Sequence, residues 1–189
     1  MFPWWWTLGA LAVVSFLSLF AFQYVGYLRS RRQVVEAYQA LALLWSGRFD
    51  AGTFFVPPAL SFSFRSFEVE LRAFYLYRGL VGNYTQLRYS FGRSFLHAFV
   101  VRSPDEDEEG YDIESVRPEL VRSLLEQGWT REMDRLVNVG GRQDVEVRFD
   151  GDTLTVRKRS LLLSIQNLKA FRESVEAMCI MLDERLKGN

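Results

Sequence analysis

The chain of 189 residues is short of the side chains that carry out most enzyme chemistry: it holds one cysteine, Cys179, and one histidine, His97. A single thiol cannot form an internal disulfide, which suits a reducing compartment. There is no Cys-x-x-Cys and no His-x-x-x-His to grip a metal, and any serine or cysteine nucleophile has only His97 as a base. His97 alternates with Phe95 and Phe99, a pattern that predicts a half-buried strand residue. Cys179 falls on the apolar face of a helical pattern and reads as a small core residue. Walker and Rossmann glycine patterns are missing too. Gly140-Gly141-Arg142 precedes a strand pattern, whereas a phosphate loop follows a strand and opens a helix. Catalysis, a bound cofactor and a metal centre are therefore not expected.

Lysine is scarce as well: three of the 23 basic residues, the other 20 being arginine. The 23 acidic residues bring the formal net charge to zero, so nucleic acid is not expected as a partner. Arginine suits protein interfaces and lipid phosphates, where its planar fork makes paired contacts.

The longest absence runs from Met1 to Leu28, where no Asp, Glu, Lys, Arg or His occurs. As a helix, Trp4 to Leu28 rises ~37 Å at 1.5 Å per residue, and a hydrocarbon core of roughly 30 Å needs about 20 apolar residues. Residues 1–29 thus predict a transmembrane anchor in the lipid bilayer. Trp4, Trp5 and Trp6 mark one interface, and Tyr24 and Tyr27 the other, where rings with one wet edge prefer to sit. Arg29, Arg31 and Arg32 follow, and no basic side chain precedes the span. The positive-inside rule then predicts a single-pass protein of the inner (plasma) membrane, amino terminus outside and the rest cytoplasmic. A cleaved signal would want a basic start, a shorter apolar run and a small-residue cleavage site. Ser15, Ser18 and Gly26 lie near one helical face and are candidates for close packing against another helix. With no ionisable group in the span, an ion relay through it is not expected.

Residues 30–47 predict an amphipathic connecting helix, either continuing the span or bending at Gly26 or Ser30. Val34, Tyr38, Leu41 and Trp45 form its stripe, Val35 and Leu44 widen it, and Gly47 ends it.

Residues 48–189 predict a soluble α+β domain. A loop closed by Pro57-Pro58 leads into alternating segments beginning at Leu60, Phe67, Thr85 and Phe95: an antiparallel meander of three or four strands with one face buried. Glu68 and Glu70 alternate outward beside Arg72 as a solvated face. Asp105-Glu106-Asp107-Glu108-Glu109-Gly110 begins like a calcium loop, but Val116 stands where the bidentate Glu is required, so a solvated or partner-facing acidic loop is expected.

Pro118 opens a helix with Leu120, Val121, Leu124 and Leu125 inward and Gly128 as its stop, and Thr130 is a candidate cap for a second, short helix. Asp150-Gly151 predicts a hairpin with Val147 opposite Leu154 and Val145 opposite Val156. Arg157-Lys158-Arg159 reads as a solvated basic strand end. The last helix, 167–186, carries Leu168, Phe171, Val175, Met178, Leu182 and Leu186 on one stripe. Segregated strands and helices give the α+β class.

An anchor, a compact domain and no site chemistry lead to one functional expectation. The chain is a single-span accessory subunit of a larger membrane complex, such as an energy-transducing respiratory or photosynthetic assembly, and its partners are the bilayer and other membrane subunits. The alternative is a membrane-tethered ligand-binding or sensor module, with Phe62, Phe64, Tyr75 and Tyr77 lining its pocket.

Overall fold

The computed structural model describes residues 4–53, 56–74, 83–104 and 110–187. It has the α+β class. One helix, α1 (Trp4–Leu44), runs 41 residues without interruption at Gly26 or Ser30. Two physical regimes share this helix. From Leu8 to Leu28 its large apolar side chains are exposed, with Tyr27 half-buried. From Val34 onward one stripe turns inward: Val34, Tyr38 and Leu41 are fully buried and Ala37 nearly so. Val35 widens the stripe as expected, but Leu44 does not. It is exposed, as is Leu43, because Gly47 turns the chain into the sheet, its amide donating to Ala42 O at 2.9 Å.

The strands are β1 (Arg48–Asp50), β2 (Ala59–Phe64), β3 (Phe67–Phe74), β4 (Tyr84–Ser90), β5 (Phe99–Arg102), β6 (Asp112–Ser115), β7 (Val145–Phe149) and β8 (Thr153–Lys158). They form a single antiparallel sheet in the order β1-β2-β3-β4-β8-β7-β5-β6. The helices α2 (Pro118–Leu124), α3 (Thr130–Asn138) and α4 (Ile165–Lys187) bury their apolar stripes in one core with the inward side chains of the strands. All six residues of the α4 stripe are buried, and Cys179 lies among them with its thiol pushed up by burial.

Several expectations are corrected. The meander has three long strands, β2 to β4, extended at its edge by β1, which the sequence pattern presents as loop. The expected fourth strand does not join it. β5 begins only at Phe99 and pairs with β6 and β7, beyond β8. His97 is half-buried but lies in the link before that strand.

The hairpin register differs by two residues: Phe149 pairs with Leu154, Val147 with Val156 and Val145 with Lys158. The turn is longer than Asp-Gly alone, with Asp150 N donating to Thr153 O at 3.1 Å. Phe95 is the reason. Its amide donates to Gly151 O at 2.7 Å, and a Cβ on Gly151 (φ 89°) would lie 2.6 Å from Phe95 O. A shift of two leaves every side chain on its expected face.

Gly128 (φ 128°) kinks the chain without stopping it, and α2 passes through Leu125–Trp129 straight into α3. Thr130 is itself helical and donates its hydroxyl back to Leu125 O at 3.0 Å, so it caps nothing. Trp129, fully buried at the kink, donates Nε1 to Met178 O at 3.2 Å and packs edge-on to Phe99.

Candidate functional site

Because all helices lie on one side, the other face of the sheet is open to solvent. Period-two alternation fills it with polar residues, and the register aligns them in rows. One row runs Arg48, Ser61, Glu70, Arg88, Thr155, Arg148, Val100, Glu114. The next, toward the start of β2, runs Asp50, Ala59, Arg72, Gln86, Arg157, Glu146, Arg102, Asp112.

Within these rows most charges are matched. Arg72 donates to Glu70 at 2.7 Å, leaving Arg88 with no ion pair among the described residues; Arg48 has none either. Arg102 binds Glu114, Asp112 and Glu146 at 2.6, 2.8 and 3.2 Å, and these carboxylates hold its proton well above the ordinary arginine range. Arg157 donates to Gln86 at 2.9 Å and approaches Glu146 at 3.7 Å. Thr155, flanked in its row by Arg88 and Arg148, is only 8% exposed although it faces the open side. Near the β1 edge, Ser46, Arg48, Ser61, Ser63, Glu68, Glu70, Arg88 and Ser90 line a cleft of about 610 Å3. Phe62 and Val69 also border it, so hydroxyls and charges share the cleft with some apolar surface.

The other face holds three charged groups that matter to the fold, Lys158 and Glu132 buried and Arg172 half-buried. Lys158 is not the solvated strand end expected of it. It is fully buried, and its Nζ donates to Leu136 O, Val137 O and Gly141 O at 2.9, 2.7 and 3.0 Å. Three donors thus meet three carbonyls at and just beyond the C-terminus of α3, where the helix dipole favours a cation. Burial lowers the ammonium to about 8, against a raising influence from Asp144. Glu132 on α3 is 1% exposed and lies between Arg131 at 2.9 Å and Arg135 at 3.1 Å. Arg172 on α4 lies over the rings of Trp45, Phe62 and Phe64 while its Nε holds Glu176. The rings of Phe62 and Phe64 therefore face α4 and the end of α1. Tyr75 and Tyr77 lie outside the described residues.

Signals for these groups were present in the pattern. Lys158 continues the inward series Leu154, Val156, and Thr85 precedes the inward Leu87 and Tyr89. Thr85 is fully buried, donating to Ser160 O at 2.8 Å and accepting from Leu162 N at 2.9 Å.

The membrane-interface residues all fall on α1, with Trp4, Tyr24, Arg29 and Arg32 exposed and Tyr27 and Arg31 half-buried; the side chains of Trp5 and Trp6 lie outside the description. Arg32 pairs with Glu36 at 2.8 Å, one turn on. Arg31 instead reaches the β1–β2 loop, donating from Nη2 to Ala51 O at 3.2 Å and Gly52 O at 3.4 Å. Ser15, Ser18 and Gly26 are exposed along the uncovered half, and a Cβ on Gly26 would meet nothing within 4 Å. Asp105, Glu106, Asp107, Glu108 and Glu109 lie outside the described residues. Among the described residues no three of His, Cys, Asp and Glu come together as a metal cage. No family model, curated protein or solved structure matches the chain.

Proposed function

We propose that the protein is a single-span, membrane-anchored accessory subunit of a larger membrane complex, with its amino terminus outside and its α+β domain in the cytoplasm. The observation that carries this reading is the division of α1. Its C-terminal part is built into the core of the domain, whereas its N-terminal part, long and apolar enough to cross a membrane, is left exposed among the described residues. A core helix of a soluble domain would be covered by its own fold, and apolar surface on this scale needs lipid or protein around it. The basic residues Arg29, Arg31 and Arg32 follow the apolar stretch directly, which supports the cytoplasmic side for the domain. Ser15, Ser18 and Gly26 present a small-residue strip to a neighbouring helix. The open sheet face, with Arg48 and Arg88 unpaired, and the 105–109 acidic segment supply polar contacts to cytoplasmic parts of the same assembly. An energy-transducing complex fits this architecture.

Purification in mild detergent, followed by mass spectrometry of what accompanies the protein, tests the reading. Larger membrane subunits in constant ratio are expected. An isolated, monodisperse monomer without companions would overturn it, and a monomer carrying a small molecule would favour a tethered ligand-binding module. A C-terminal tag labelled from outside intact spheroplasts would overturn the orientation.

A further inference from the structure

We propose that the domain is not merely tethered: the end of the sheet that carries the β1–β2 loop rests on the headgroup layer of the same bilayer, giving the protein a second membrane contact. This rests on the reading of α1 as a membrane span. The argument begins with height along α1. The uncharged stretch ends at Leu28, and Arg31 is three residues further, ~4.5 Å along a helix axis. At that level Arg31 is bonded to the carbonyls of Ala51 and Gly52. Trp45, ~21 Å further along the axis from Arg31, packs on Phe62 at 5.0 Å between centroids. The sheet thus has a near end, marked by Ala51, and a far end, marked by Phe64. With α1 unbroken through this region, the near end faces the surface from which the span emerges.

The register carries the near end across the sheet. Asp50 and Ala59 share a row with Arg72, Gln86 and Arg157, and beyond that row lie Phe74 and Tyr84. The side chains there suit an interface of water and lipid. Val56, in the β1–β2 loop, is 48% exposed and is followed by Pro57-Pro58. Phe74 and Tyr84 stack at 4.5 Å on the open side of the sheet, with the Arg157 guanidinium over the tyrosine ring at 5.7 Å.

The described residues of the loop bond to one another. Gly52 (φ 64°) donates to Asp50 Oδ1 at 2.9 Å, Thr53 N donates to Val56 O at 3.0 Å, and a Cβ on Gly52 would lie 2.2 Å from Val56 O. Charge at this end is mixed: Arg72, Arg157 and Arg102 share a row with Asp50, Glu146 and Asp112, Arg159 is paired with Asp144 at 3.1 Å, and Asp50 accepts from Gly52 N. Residues 105–109 lie outside the described residues; β5 and β6, which flank them, stand at the edge of the sheet opposite β1, and Arg102 and Asp112 close the row that Asp50 begins.

The test uses the full chain in nanodiscs of phosphatidylcholine and phosphatidylglycerol, with nitroxide labels at Leu17→Cys, Ala51→Cys, Val56→Cys and Leu96→Cys. All four positions are exposed, and the native Cys179 is fully buried, with the unsubstituted chain as the labelling blank. Collision rates with oxygen and with a polar nickel chelate report depth. The expected result is a deep label at 17, headgroup depth at 51 and 56, and an aqueous label at 96, the oxygen-to-nickel ratio at 56 standing several-fold above that at 96. Labels at 51 and 56 as aqueous as the label at 96, with 17 still deep, would overturn the second contact and leave the span intact. An aqueous label at 17 would overturn the span reading itself.

Discussion

The guanidinium carbon of Arg172 lies 4.5 Å from the ring centroid of Trp45, so the first residue beyond α1 and the middle of α4 meet face to face. The same guanidinium is 4.7 Å from the Phe62 ring and is bonded to Glu176, one turn along its own helix. Burial raises the Glu176 carboxyl above its ordinary value, and the bond to Arg172 works against that rise. One cation therefore closes the seam between the end of α1 and the domain.

Arg172→Met is expected to destabilise the domain by about 2–4 kcal/mol, since it removes the stacked cation and leaves a half-buried carboxylate alone. The deficit depends on pH. A carboxyl raised in the folded state binds its proton more tightly there than in the unfolded chain, so stability falls as pH rises through its titration. Without Arg172 the rise is larger. The variant's deficit against the parent should therefore grow from pH 4 to pH 7, as read by urea denaturation at both values; a constant deficit would contradict the pairing.

Lys158→Met removes the only cation that meets the three carbonyls at the end of α3, and a loss of about 2–4 kcal/mol is expected. Here the sign with pH is distinct. The folded-state value, about 8, lies below the ordinary 10.5, so the unfolded chain binds the proton more tightly between these limits. The parent should gain stability over Lys158→Met as pH rises from 8 to 10.5, by up to about 3 kcal/mol. Denaturation of the pair at pH 7.5 and pH 10 measures this, and a flat difference would show that the ammonium is not perturbed.

Gly151 and Gly141 separate two costs of adding a methyl group. Both hold positive φ, 89° and 109°, but a Cβ on Gly151 would press on Phe95 O at 2.6 Å while one on Gly141 meets nothing within 4 Å. Gly141→Ala should cost about 1 kcal/mol from backbone strain alone. Gly151→Ala should cost roughly 2–4 kcal/mol, adding the clash and loss of the link between the turn and Phe95. Equal denaturation midpoints would refute the contact.

Arg102 ties β5 to both of its neighbours through Asp112, Glu114 and Glu146. Because these pairs are partly solvated, Arg102→Ala should cost only about 1–2 kcal/mol globally, with the effect diminishing in salt. Locally, the amides of the edge strand β6 should exchange with deuterium faster while those of β3 and β4 keep their protection. Unchanged exchange in β6 would mean that the carboxylates hold the edge without their arginine.

What the sequence made legible was whatever repeats locally. The stripe from Leu168 to Leu186 and the inward faces of β2, β3, β4 and β7 follow from periods of 3.6 and 2, and each side chain lies on its expected face. Pairing partners are another matter. Nothing in Phe99–Arg102 says that it will pair with Val145–Phe149 across the chain, and hairpin register depends on turn length, which Asp150-Gly151 alone misstates. Charge misled at Lys158, where two arginine neighbours suggested a solvated cluster although the alternation from Leu154 pointed inward. The open face was legible at Glu68, Glu70 and Arg72, but its continuous rows appear only once β8 and β7 are set beside β4.

The unbroken run of α1 has a mechanical corollary. A helix turns 100° per residue and keeps phase along its length, so the azimuth of Ser15 and Ser18 is locked to that of the sheet. Inserting one residue near Ser30 would swing the domain by about 100° about the helix axis, whereas inserting a set of seven would nearly restore its heading and only lift it. Any neighbour that grips both the apolar half and the domain should therefore tolerate the second change in angle and reject the first, as a ruler that is also a compass.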